Sequence, residues 1–120
     1  MKVLLVDDDA FLRDMYATKF IESGHQVDVA TDAIEALRHI KEADYDVVLL
    51  DMIMPGMSGL ELLEEIKKLG LAGDTKYIVL SNQSEASDQS AAKEAMAVGY
   101  IIKAEVIPSE VVKRVEELCK

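Results

Sequence analysis

The chain has 120 residues, half of them hydrophobic, which suits one domain with a single core. Its one cysteine has no internal disulfide partner, as is typical of proteins in a reducing compartment. The net charge of −10 argues against direct binding to nucleic acid. No apolar run approaches the roughly 18 residues that a membrane-spanning helix needs, and no signal peptide is expected. We therefore predict one cytoplasmic domain over residues 1–120, without membrane insertion.

The first half of the chain alternates between strand and helix patterns. Val3-Leu4-Leu5-Val6 is a short apolar run, and residues 10–23 have apolar side chains at helical spacing. Residues 26–30 alternate with period two, which predicts a less buried strand. Asp32 is expected to cap a second helix, with Glu35 completing a capping box.

The second half continues this alternation. Strand patterns occupy residues 46–51, 77–81 and 99–102. Helix patterns occupy residues 58–68, 85–97 and 108–119. Ser58 and Glu61 form another capping-box pattern, and Pro108 suits the first residue of a helix. The helix pattern at 85–97 is weak and polar, which indicates a mobile segment.

Strict alternation of five strands with five helices defines the expected fold. Continuous apolar strands in such an alternation predict a parallel sheet that is covered by helices on both faces. Crossovers should be right-handed. The predicted fold class is α/β, a flavodoxin-like (βα)5 doubly wound five-stranded sheet with strand order 2-1-3-4-5.

Polar residues follow four of the five predicted strands. Asp7 and Asp8 end the first strand, and Asp51 ends the third. Ser81 ends the fourth strand, and Lys103 follows the fifth. Because ligands of open parallel sheets bind at the carboxyl ends of the strands, these side chains should converge. Each alone has a structural explanation, such as a helix cap or a surface lysine, but their combination favours a functional site.

Three carboxylates in one pocket need compensation. Two like charges 4 Å apart repel by roughly 4 kcal/mol at an effective dielectric constant of 20, so a cation or protons should be bound. Carboxylate oxygens suit Mg²⁺, which can also orient a phosphoryl group. Asp51 is then a competent nucleophile, with Lys103 and the Ser81 hydroxyl available to contact phosphoryl oxygens.

These residues carry a family resemblance over the whole chain. The sequence resembles the response-regulator receiver domains of two-component signalling. The motifs that carry the resemblance are Leu4-Leu5-Val6-Asp7-Asp8, Val48-Leu49-Leu50-Asp51-Met52-Ile53-Met54-Pro55-Gly56, Val79-Leu80-Ser81 and Gly99-Tyr100-Ile101-Ile102-Lys103.

The resemblance implies a role for each matching position around the acidic site. Asp51 corresponds to the phospho-acceptor, and Lys103 to the lysine that contacts the phosphoryl group. Asp7 and Asp8 correspond to the acidic pair of a site for Mg²⁺ or Mn²⁺. Ile53 stands where the family lends a backbone carbonyl to the cation.

The resemblance also implies a switch and its partners. Ser81 and Tyr100 stand at the hydroxyl and aromatic switch positions, whose rearrangement alters the face formed by helix four, strand five and helix five. The expected partners are a histidine kinase or histidine phosphotransfer protein and a downstream target protein. Phe11 and Met15 are candidates for contacting the phosphoryl donor, although both also suit plain core or rim positions.

The residue after Lys103 departs from the family pattern. Receiver domains commonly have a cis proline there, whereas this chain has Ala104. Since a cis bond before a non-proline residue costs about 3 kcal/mol, we predict a trans peptide or a strained cis one. The loop from Lys103 to Pro108 also looks slightly long.

Rival functions fit the sequence less well. A flavin carrier would have Ser, Thr and Gly after the first strand, and a dinucleotide site would have G-x-G-x-x-G there. A haloacid-dehalogenase-type phosphatase would use Asp7 as its nucleophile and would need a larger core or a cap. A degenerate receiver that only docks onto partner proteins is the remaining alternative.

Overall fold

The computed structural model describes residues 1–120 as a five-stranded parallel sheet flanked by helices. The strands are β1 (Lys2–Val6), β2 (Gln26–Ala30), β3 (Val47–Leu50), β4 (Lys76–Ser81) and β5 (Gly99–Ile102). The helices are α1 (Ala10–Glu22), α2 (Ala33–Glu42), α3 (Gly59–Lys68), α4 (Ala86–Ala95) and α5 (Pro108–Leu118), and a 3₁₀ turn covers Lys103–Glu105. The order β2-β1-β3-β4-β5 confirms the predicted doubly wound fold. None of the helices combines the length and apolarity that crossing a membrane requires.

The central strands are buried on both faces of the sheet. On one face, Leu4 and Val48 pack in a core with side chains of α2, α3 and α4. On the other face, Val3 and Leu49 pack with side chains of α1 and α5. All four side chains have no exposed surface. This double burial explains why the strand sequences are continuous apolar runs, whereas the half-exposed edge strand β2 alternates.

The helix starts follow the predicted capping chemistry, with one correction. Asp32 caps α2 by accepting the backbone N–H of Glu35 at 2.8 Å, and Ser58 and Glu61 form a complete capping box on α3. The capping box predicted for α2 is only half formed, because the Glu35 side chain does not bond to the backbone N–H of Asp32. The Glu35 carboxylate accepts the backbone N–H and the hydroxyl of Thr31, at 3.3 and 2.8 Å. Thr31 supplies two donors to the carboxylate, which a single backbone N–H at Asp32 cannot match.

The strand register brings the predicted site residues to one edge of the sheet. Val6 pairs with Leu50, so the residues that follow them, Asp7 and Asp51, leave neighbouring strands at the same level. Ser81 at the end of β4 pairs with Ile102, the last residue of β5. The acidic and the basic parts of the site therefore meet across the ends of four adjacent strands, β1, β3, β4 and β5.

Candidate functional site

An ion-pair cluster forms the floor of the site. The Lys103 ammonium Nζ donates to Oδ2 of Asp7 and to Oδ2 of Asp51, both at 2.7 Å. The exposed fractions of these side chains are 6% for Lys103, 2% for Asp7 and 13% for Asp51. Bonds between ionised partners that are withdrawn from water fix geometry more firmly than surface pairs do. The structure thus brings together three residues that the sequence separates by up to 96 positions.

Asp51 is also held through its second oxygen. Its Oδ1 accepts the Ser81 hydroxyl at 2.8 Å and the backbone N–H of Ile53 at 3.1 Å. Ser81 is buried, and its Oγ accepts the backbone N–H of Gln83 at 3.3 Å. Both oxygens of Asp51 are therefore oriented, one by a cation and the other by neutral donors.

The third carboxylate lies at the open side of the cluster. Asp8 is exposed, and carboxylate oxygens of Asp7, Asp8 and Asp51 all lie within 4.8 Å of one another. They line a cleft of about 280 Å³ together with Lys103. At that separation two carboxylates repel by about 3 kcal/mol at an effective dielectric constant of 20. In this cluster the three carboxylates outnumber the one ammonium by two, and hard oxygen ligands of this kind fit Mg²⁺ or Mn²⁺.

The charge of Lys103 is secured by its partners. Burial acts to lower the pKa of this ammonium, but the hydrogen bonds and charges of Asp51 and Asp7 together outweigh it and raise the pKa. Lys103 is therefore a permanent cation in the physiological range, and it can face either the Asp51 carboxylate or a negatively charged group attached to it.

Tyr100 is connected to this cluster through the loop after β4. Its hydroxyl donates to the backbone carbonyl of Gln83 at 2.6 Å, and its ring packs at the edge of the core beneath α4. Burial is the largest cause that raises the pKa of Tyr100. A continuous path of hydrogen bonds therefore runs from Asp51 through Ser81 and Gln83 to Tyr100.

The peptide between Lys103 and Ala104 is trans, one of the two alternatives that the sequence left open. No cis peptide bond is present, and Lys103–Glu105 forms a single 3₁₀ turn. The backbone N–H of Ala104 donates to Oδ1 of Asn82 at 2.9 Å. The connection to α5 thus begins with an ordered turn, and the Lys103 ammonium reaches both carboxylates.

The sequence did not reveal two residues that contact the backbone carbonyls of Asp51 and Asp7. Gly59 begins α3 so close to β3 that a β-carbon there would fall on the backbone carbonyl of Asp51. On α1, the Arg13 guanidinium donates to the backbone carbonyl of Asp7 at 3.0 Å. A glycine just after the helix cap was the only signal for the first contact, and no local pattern marked the second.

The two candidate contacts for a phosphoryl donor differ in exposure. Phe11, at the start of α1, has 76% of its surface exposed. Met15 is half-buried and packs against the core beneath α1 and α5. Of the two, Phe11 is the one that presents apolar surface to solvent beside the acidic residues.

The fold and this cluster define the class of protein. A parallel sheet in the order 2-1-3-4-5, with an acidic triad, a lysine and a hydroxyl at its carboxyl edge, is the arrangement expected of a receiver domain. The sequence also matches the family described as the response regulator receiver domain over residues 3–116. The chain belongs to this family.

Known relatives agree with this assignment. The chain is 36% identical over 103 residues to the two-component response regulator PhoP of Pseudomonas aeruginosa. This match covers 86% of this chain and 45% of PhoP. It is 34% identical over 119 residues to the transcriptional regulatory protein ResD of Bacillus subtilis, covering 99% of this chain and 48% of ResD. The chain spans about half the length of these curated relatives.

Solved structures resemble the whole chain. The chemotaxis protein CheY4 of Vibrio cholerae matches with a TM-score of 0.90 at 27% identity, covering 98% of this chain and 97% of CheY4. The response regulator protein TrrA of Thermotoga maritima, solved in complex with Mg²⁺ and BeF, matches with a TM-score of 0.84 at 32% identity. That match covers 98% of this chain and 97% of TrrA.

Proposed function

We propose that residues 1–120 act as one phospho-accepting switch domain, in which Asp51 takes a phosphoryl group from a phosphohistidine. The donor is a histidine kinase or a histidine phosphotransfer protein, and the exposed Phe11 is a contact for it. The observation that carries the proposal is the environment of Asp51, whose two oxygens face the Lys103 ammonium and the Ser81 hydroxyl beside two further carboxylates. The cytoplasmic location stays a prediction.

A divalent cation completes the proposed site. Asp7, Asp8 and Asp51 would hold Mg²⁺ or Mn²⁺, together with the backbone carbonyl of Ile53. When bound, the cation offsets the negative charge of the carboxylates and of the transferring phosphoryl group. The two uncompensated carboxylates of the cleft support this assignment, since one divalent ion would neutralise them.

The proposed transfer is a displacement at phosphorus. One oxygen of Asp51 forms the new O–P bond while the N–P bond to the donor imidazole breaks. The electron pair of that bond returns to the imidazole nitrogen, which takes a proton from solvent. The ammonium of Lys103 and the hydroxyl of Ser81, which now bond to Asp51, become donors to oxygens of the attached phosphoryl group.

The switch is proposed to follow the path of hydrogen bonds away from Asp51. Ser81 cannot keep its present bond to Asp51 and also move to a phosphoryl oxygen, so phosphorylation changes the position of its hydroxyl. That movement alters the loop at Gln83, to which Tyr100 is bonded. The face formed by α4, β5 and α5 is then reorganised for binding to a downstream target protein.

Intact mass spectrometry with a small acyl phosphate tests this function. After incubation with acetyl phosphate and Mg²⁺, the protein should gain one phosphoryl group. The gain should disappear when the metal is chelated, should return with Mn²⁺, and should be absent in Asp51→Asn. If the protein binds Mg²⁺ by calorimetry but gains no phosphate, a degenerate receiver that acts only by docking becomes the better description.

A further inference from the structure

One hydrogen bond joins the two loops that leave β4 and β5. The backbone N–H of Ala104 donates to the side-chain Oδ1 of Asn82 at 2.9 Å. Asn82 directly follows Ser81, and Ala104 directly follows Lys103. The bond therefore ties the residue after the site hydroxyl to the residue after the site ammonium.

Few hydrogen bonds other than those of the 3₁₀ turn itself hold the backbone here. Apart from bonds within the regular elements, residues 103–106 take part in no other backbone–backbone hydrogen bond. No side chain caps the 3₁₀ turn at its start. The pairing of β4 with β5 ends at Ser81 and Ile102, so Lys103 is the first residue beyond the ladder. Its backbone position depends on what fixes the following peptide.

The position of that backbone matters because of what Lys103 must reach. Its ammonium contacts Asp7 and Asp51 at the same time, at 2.7 Å each. A shift of the Lys103 backbone would lengthen at least one of these two bonds. Hydrogen bonds weaken quickly beyond about 3.2 Å, so even a small displacement separates the ammonium from the phospho-acceptor.

We propose that Asn82 is a positioning residue for phosphoryl transfer, which acts by holding the Lys103–Ala104 peptide through its side-chain oxygen. This inference rests on the function proposed above. Asn82 keeps the turn against the end of β4, so that Lys103 and Ser81 approach the two oxygens of Asp51 together. A receiver with proline after the lysine has no N–H for such a bond, so Ala104 is the feature that makes the asparagine useful here.

A double-mutant cycle on the rate of phosphorylation tests the proposal. The initial rate of phosphorylation by acetyl phosphate in Mg²⁺ is measured for the wild type, Asn82→Ala, Ala104→Pro and the double variant. Asn82→Ala should lower the rate about fivefold, the effect of one modest hydrogen bond. In the Ala104→Pro background, where the donor is absent, adding Asn82→Ala should change the rate by less than about twofold.

The outcomes separate the two levels of inference. An equal loss in both backgrounds would mean that Asn82 acts on the phosphoryl group or the donor directly, and the positioning role would be wrong. An unchanged rate in Asn82→Ala would also overturn it. A wild type that takes up no phosphate would instead remove the proposed function on which the inference rests.

Amide exchange gives a second measurement that does not need the proline variant to fold. Exchange at Ala104 should be about tenfold faster in Asn82→Ala than in the wild type. It should stay slow in Asn82→Asp, because the carboxylate still accepts the N–H. Unchanged exchange at Ala104 in Asn82→Ala would show that the bond does not hold the turn, and the proposal would fail.

Discussion

Helices α3 and α4 have the same length and pack on the same face of the sheet, but they are anchored very differently. Each has ten residues. α3 begins with a capping box between Ser58 and Glu61, and its inward face carries three large, fully buried side chains, Leu62, Leu63 and Ile66. α4 has no side-chain cap at Glu85, and its only buried residues are Ala92 and Ala95.

The ends of the two helices deepen this contrast. α3 starts directly against the loop that follows Asp51, since the backbone N–H of Gly59 donates to the carbonyl of Met52 at 2.9 Å. The residue that follows α4, Met96, has a φ of 118°, a left-handed conformation that costs a residue with a side chain about 1–3 kcal/mol. Alanine buries far less apolar surface than leucine, so α4 also gains less from packing.

This difference matches the two tasks that the proposed switch assigns to the helices. The loop that carries Asp51 must stay fixed for chemistry, and α3 holds it. The loop at Gln83 must move when Asp51 is phosphorylated. Because α4 buries little apolar surface, it can move with that loop at a small cost in packing free energy. Segments that move in regulation belong to the least stable parts of a protein. We therefore expect α3 to be the rigid support and α4 the moving part.

The largest effect should come from the first residue of each helix. Gly59→Ala places a methyl group on the carbonyl of Asp51, and backbone cannot yield as a side chain can. We expect a loss of about 3 kcal/mol in the free energy of unfolding, measured by urea denaturation. Ala86→Ser, at the matching and exposed first position of α4, should change it by less than about 0.5 kcal/mol. A similar change in the free energy of unfolding for the two variants would show that the starts of α3 and α4 are equally tolerant of substitution, and the contrast between them would be wrong.

The sequence predicted the anchoring of these helices better than their contacts with the site. Caps such as Ser58, the strand order and the convergence of the strand-end residues follow from local pattern and from the rules of parallel sheets. The weak α4 was also visible, because its sequence offers few large apolar side chains. Such features depend on residues that are close in sequence.

The contacts that were missed depend on backbone atoms from distant parts of the chain. Gly59 is required by a carbonyl of the β3 loop, and Arg13 binds a carbonyl at the end of β1. Asn82 bonds to an N–H that lies 22 residues away. Backbone groups are present at every position, so no residue pattern indicates which of them a side chain will meet.

The next effect concerns the residue that follows each helix, and the two substitutions should change the stability in opposite directions. Met96→Gly relieves the left-handed backbone at the end of α4 and should raise the free energy of unfolding by about 1 kcal/mol. Leu69→Gly, at the end of α3, should lower it by about 1 kcal/mol, since Leu69 has an ordinary φ of −81°. Amide exchange in α4 should slow in Met96→Gly. Destabilisation by both substitutions would show that the backbone conformation of Met96 does not lower the stability of α4.

The smallest effect links α4 to the ionisation of Tyr100. Burial first, and then the charges of Asp88 on α4 and of Asp51, raise the pKa of Tyr100. An unfolded tyrosine loses its proton near pH 10, before the native one does. The stabilisation from the neutral hydroxyl is therefore complete below that pH and is lost as the pH rises through the higher native pKa.

Comparison with Tyr100→Phe isolates this contribution. At pH 8 the wild type should be more stable by up to about 1 kcal/mol, the net value of the bond to the Gln83 carbonyl. The difference in urea-unfolding free energy should shrink between pH 8 and pH 11, because ionised Tyr100 cannot donate that bond and repels Asp88. Glu64→Gln, on the exposed face of α3, should differ from the wild type by a constant amount over the same range. If the difference in unfolding free energy between the wild type and Tyr100→Phe is also constant with pH, the ionisation of this hydroxyl does not affect the loop and α4. The proposed switch would then have to act on α4 through other contacts.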